Sequence, residues 1–249
     1  AVEWPGSTRY FCRYLLYFFR VYWMDSLLAQ VFNQVSQVVR ENRAFFNAID
    51  ESNHHHGDHL VEIFDLAVQT LRETFQSDLP AAMQTAGLAL KTLEANASAE
   101  IYANGLLSFA QKLGLYQVGQ AELVEFVREK ITDISSDKRI SDGDLAGNDA
   151  MIDGRSGSIL KALVEGLSAW KQTCSSDQDE SKKLNMGALF ELGIIYLQAK
   201  QRNGSKLEIL ADAAVTASPL NASLHHRKSG LIIIQAMLKA FSEAQPGEA

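Results

Sequence analysis

The chain has 249 residues, enough to bury a sizeable core, and its 47% hydrophobic and 21% charged content is ordinary for a globular domain. A formal net charge of −7 argues against nonspecific nucleic-acid binding, which depends on a surplus of Lys and Arg to neutralise phosphates. Two cysteines, Cys12 and Cys174, form neither a metal spacing nor a disulfide framework, so a reducing cytoplasm is expected.

Residues 1–23 read as an extension distinct from the domain at 24–249. Tyr10 to Trp23 is aromatic-rich and broken by Arg13 and Arg20. It is too short and too charged for a spanning helix and lacks a signal-peptide cleavage site, which favours docking on a partner over a membrane. Met24-Asp25-Ser26 has the look of a start with a helix cap.

Leu27 to Ile49 carries apolar residues at helical spacing (Leu27, Val31, Phe32, Val35, Val38, Val39, Phe45, Ile49) and predicts one helix. Leu60, Ile63, Phe64, Ala67, Val68, Leu71 and Phe75 make a second stripe. Asp78 with Pro80 then starts a helix over Ala81 to Leu93. Ala99 to Leu113, Gln120 to Ile134, Ile159 to Trp170, Leu184 to Gln201, Ser205 to Thr216 and Ser229 to Glu243 follow. No segment alternates like a strand, so the fold expected is all-α: an antiparallel barrel or bundle of about eight helices. Val31, Val35, Phe64, Leu71, Leu163, Leu167, Ile194, Ile233 and Leu238 are the expected core.

Between the helices lie the residues that could carry chemistry. His54, His55, His56 and His59 cluster with Asp58, where neutral imidazoles would suit a transition metal; unliganded loop histidines are the plainer alternative. His225 and His226 precede the last predicted helix. Residues 132–153 form an acidic loop containing Asp142-Gly143-Asp144, either solvated or a cation site beside the next turn. That turn is Gly154-Arg155-Ser156-Gly157-Ser158, set before a helix. Its glycines let backbone approach a ligand, its serines can cap, and unpaired N–H groups favour a phosphate. A simple helix cap would look similar.

Together, Phe46-Asn47-Ala48-Ile49-Asp50 with Gly57-Asp58-His59, the Gly154 to Gly157 turn, Gly204 to Ala211 and Lys228-Ser229-Gly230 resemble the ADP-binding DhaL-type domain of dihydroxyacetone and fatty-acid kinases, over about residues 24 to 244. The resemblance implies a helical barrel that binds ADP or ATP with magnesium and works with a substrate-carrying subunit. It implies phosphate contacts at Gly154, Arg155, Ser156, Gly157, Ser158, Ser229 and Gly230. Metal positions fall at Asp58, Asp50, His56 and His59.

Departures from that family pattern concentrate at the metal. His56 stands at a carboxylate position, Leu60 and Glu62 replace the loop's Gly and Asn, and Leu210 and Lys228 replace acidic residues. Magnesium wants hard oxygen ligands, so the site is expected to be weakened or altered. The expected function is a degenerate, non-catalytic nucleotide- or anion-binding regulatory module. A kinase-type phosphotransferase subunit and a structural helical subunit are the alternatives. If the family geometry holds, His54–His59, Gly154–Ser158 and His225–Gly230 converge at one end of the bundle.

Overall fold

A computed structural model describes residues 27–74, 78–133, 154–174 and 205–243. These form α1 (Leu27–Glu41), α2 (Arg43–Ala48), α3 (His56–Glu73), α4 (Leu79–Leu90), α5 (Ala97–Leu115), α6 (Gln120–Asp133), α7 (Gly154–Thr173), α8 (Lys206–Ala217), a 3-10 turn (Pro219–Ala222) and α9 (Leu224–Glu243). Among the described residues there is no strand, and no helix is long and apolar enough to cross a membrane. The architecture is an all-α bundle. Residues 1–23, most of the acidic loop at 132–153 and the predicted helix Leu184 to Gln201, with Ile194, lie outside the described residues.

Helices α1 and α3 pack antiparallel because each has one apolar stripe to bury. Phe32, Val35 and Val39 meet Leu60, Ile63, Phe64 and Leu71 in the core, and each such side chain contributes about 1.5–3 kcal/mol on full burial. Polar residues fix the register: Ser36 Oγ donates to Asp65 at 2.8 Å, and Arg40 pairs with the same carboxylate at 2.6 Å.

The predicted single helix Leu27–Ile49 is divided at Asn42. Its side-chain amide donates to the Val38 carbonyl at 2.9 Å, alongside its own backbone N–H at 3.1 Å, and α1 ends at Glu41 before the short α2 begins at Arg43. Elsewhere the end signals in the sequence operate directly. Asp78 accepts from Ala81 N–H at the head of α4, Asn96 accepts from Ala99 N–H at the head of α5, and Ser205 with Glu208 forms a capping box on α8.

Helix α7 lies on α5 through small residues. A Cβ on Gly166 would sit 2.5 Å from the Phe109 ring, so only glycine admits this approach. Trp170 covers Gly105 and donates its indole N–H to the Ile101 carbonyl at 2.7 Å. Of the expected core, Val31, Val35, Phe64, Leu71 and Ile233 are buried. Leu163, Leu167 and Leu238 are only partly so: Leu163 and Leu167 edge the packed clusters, while Leu238 lies five residues, about 140° of helical rotation, from the buried Ile233.

Candidate functional site

The polar residues of the site sit one turn deeper into helices than their sequence suggests. His56, Gly57, Asp58 and His59 are not a loop but the first turn of α3, and His225, His226, Lys228, Ser229 and Gly230 belong to α9, which begins at Leu224. The head of α3 is capped from the preceding helix. Asn47 Oδ1 accepts from the N–H groups of Gly57 at 2.7 Å and Asp58 at 3.2 Å, satisfying donors that the helix cannot. Here α2 presses so close that a Cβ on Gly57 would lie 2.2 Å from the Arg43 carbonyl oxygen. Asn96 ties the same turn to α5, donating to the His59 carbonyl at 3.1 Å and to Glu62 at 3.0 Å.

Three helix heads thus meet: α3 with His56, α5 with Ser98, and α9 with His225 and His226. The His56 imidazole packs edge against face with His225 and His226, ring centres 4.9 and 5.0 Å apart, and the His225 and His226 rings are tilted against each other at 4.3 Å. One ring nitrogen from each lies within 4.8 Å of the other two. His56 is buried, at 2% exposure, and the other two are half-buried.

The hydroxyls around them assign the tautomers. Ser229 donates to the His226 carbonyl at 3.2 Å and therefore accepts from His56 Nε2–H at 2.9 Å. His56 Nδ1 is then an acceptor, facing Ser98 Oγ at 3.4 Å, which also meets His226 Nε2 at 3.2 Å. Ser223 Oγ closes the row, 2.9 Å from His226 Nδ1 and 3.3 Å from His225 Nε2. One consistent chain of donors runs His225, Ser223, His226, Ser98, His56, Ser229, with every imidazole neutral.

Electrostatics holds the neutral form. Burial, then the neighbouring imidazoles His226 and His225, push the His56 pKa down to about 3, against the pull of Asp50. Burial and His225 push His226 down to about 4. Three helix N-termini add positive potential in the same sense. Asp50, itself buried, is held down to about 2 chiefly by the Ser52 hydroxyl it accepts from, with help from the Ser52 N–H at 3.1 Å.

The remaining sequence candidates fall elsewhere. Asp58 turns away to Arg43 and to His55 Nδ1 at 3.2 Å, partners that hold its carboxyl below the usual range. His59 stacks loosely on His55, with ring centres 6.5 Å apart. Leu210 and Lys228 occupy helical positions in α8 and α9, Lys228 exposed.

Gly154 to Ser158 requires a correction. The helix already begins at Gly154, so Ser156 and Ser158 lie within its opening turns, and Ser158 Oγ donates back to the Gly154 carbonyl at 2.9 Å. Arg155 pairs with Glu122 and donates to the Gln117 carbonyl at 3.3 Å, just past the C-terminal end of α5. The histidines sit at the opposite end of that helix, about 25 Å away at 1.5 Å rise per residue. Of the three segments expected to converge, the structure brings together the first and third and leaves out the Gly154 turn. The helix head it supplies instead is Asn96-Ala97-Ser98-Ala99 on α5. That contribution is hard to read from sequence, because Asn96 and Ser98 sit in an alanine-rich run that looks like packing surface.

Set against known protein families, curated proteins and solved structures, the chain finds no match.

Proposed function

We propose that this chain is a non-catalytic binding module of the DhaL-like kind, whose ligand seat is the histidine-lined end formed by α3, α5 and α9. The observation that carries this reading is the convergence of three helix heads on His56, His225 and His226, where the resembled family needs magnesium carboxylates. Helix N-termini favour an anionic ligand through their dipoles. The leading N–H groups here are already taken by Asn47, Asn96 and Ser223, so the polar side chains at the heads, Ser98 among them, are left to donate to it. Phosphoryl transfer relies on metal-neutralised charge. The two carboxylates that remain, Asp50 and Asp58, are engaged by Ser52 and by Arg43 with His55. A magnesium-dependent kinase subunit is therefore the weaker reading.

The test is equilibrium binding of inorganic phosphate and ADP, with and without magnesium, alongside an assay of phosphoryl transfer from ATP to dihydroxyacetone. Binding without magnesium dependence, weakened by Ser98→Ala, is expected. Magnesium-dependent phosphoryl transfer lost in Asp58→Ala would overturn the proposal.

A further inference from the structure

The structure assigns a transition-metal centre to His56, His225 and His226: a divalent ion of the zinc type, held by three imidazoles with a fourth position open to an anion. This rests on reading the histidine end as a ligand seat and names what first occupies it.

The donor set selects the metal class. Three nitrogens within 4.8 Å of one another suit zinc, cobalt, nickel or copper and not magnesium, which wants six oxygens in an octahedron. Tetrahedral zinc with nitrogen ligands at ~2.0–2.1 Å spaces those nitrogens about 3.3 Å apart. The gap closes by small side-chain rotations of His225 and His226, which are half-buried at the start of α9, toward the fixed and buried His56.

An outer shell is already in place. His56 donates its Nε2–H to Ser229, which leaves Nδ1 free to ligate, and His226 frees its Nε2 by moving its proton to Nδ1, where Ser223 Oγ lies 2.9 Å away to accept it. Ligating histidines commonly hold their second nitrogen in this way. Both freed nitrogens face Ser98 Oγ. A metal entering there displaces Ser98 from its bridging role, so its hydroxyl can donate to the anion on the fourth position.

Charge also decides the form of the site. Three helix heads oppose a bare dication, and Asp50, close enough to pull on all three histidines, offsets only one charge. The balance therefore favours a metal that carries an anionic ligand over a closed four-ligand structural site.

The experiment uses the full chain without a histidine tag, stripped by chelator and titrated with cobalt(II) at neutral pH. One equivalent should bind with the intense visible bands of a tetrahedral site, and zinc should displace it. His225→Ala and His226→Ala should each weaken binding ~100-fold or more, while His55→Ala leaves it unchanged. His56→Gln, which keeps the buried volume, should behave like the other two, with circular dichroism checking the fold. Absence of a stoichiometric site overturns the proposal, as does binding that survives the His225→Ala/His226→Ala double variant. Phosphate binding in chelator without cobalt bands would leave the module reading standing and remove the metal; cobalt bands without phosphate binding would do the reverse.

Discussion

The imidazole of His56 and the hydroxyl of Ser229 lie 2.9 Å apart across 173 positions of sequence. Ser229 is fully buried, so Ser229→Ala leaves the His56 N–H without an acceptor and without water to replace it. A loss of about 1–3 kcal/mol is expected. Urea unfolding monitored by circular dichroism measures it, and an unchanged midpoint would mean that His56 is not tied to α9.

The metal-free fold should weaken with acid in a defined window. Folded His56 and His226 hold pKa values of about 3 and about 4, below the ordinary 6.5. The unfolded chain therefore binds more protons than the folded one beneath pH ~6.5, and stability falls as pH falls. Stability from these groups is fully present above that value. Each contributes a slope of about 1.4 kcal/mol per pH unit, His226 down to about pH 4 and His56 to about pH 3. Urea midpoints compared between pH ~7 and ~5.5 test this above the range in which carboxylates, with ordinary values of 3.8 and 4.5, titrate. A flat profile there would show that both imidazoles protonate inside the intact fold.

Two glycines should respond in opposite ways. Gly57→Ala drives a methyl group into the Arg43 carbonyl and should cost about 1–3 kcal/mol through overpacking. Gly154→Ala, exposed at the start of α7, should be neutral or stabilising by a few tenths of a kcal/mol, because alanine is the better helix former. Thermal melts of both variants separate a glycine required by close approach from one that is not.

Arg155 offers a test of the far end. Its pair with Glu122 is largely exposed, so Arg155→Ala should cost no more than about 1 kcal/mol. Phosphate affinity, measured by calorimetry, should be unaltered. A large loss of affinity in this variant would return the anion to the Gly154 turn and take it from the histidine end.

Apolar periodicity made α1, α3 and α9 visible in the sequence, since Val31, Val35, Phe64, Leu71 and Ile233 repeat on one face and are buried on it. Polar helix heads were not visible. His56 to His59 and His225 to Ser229 contain no apolar residue to announce a period, so they read as turns although they complete the first turns of α3 and α9. The placement of Gly154 failed for a topological reason. Alternate loops return to one end only when every connection is a short reversal, and here α6 and α7 both begin at the end marked by Glu122 and Gln117. The histidine cluster itself needs contacts between residues far apart in the chain, which no local pattern contains.

That distance has a kinetic consequence. Contacts such as Ser36–Asp65 close a short stretch of chain, whereas His56–Ser229 closes nearly the whole described length, and ordering so long a loop is opposed by entropy until most other packing is present. The histidine end should therefore assemble late in folding and open early in unfolding. Amide exchange at the heads of α3 and α9 would then run ahead of exchange in the α1–α3 core, and a ligand bound across those heads would slow the first step by which the bundle comes apart.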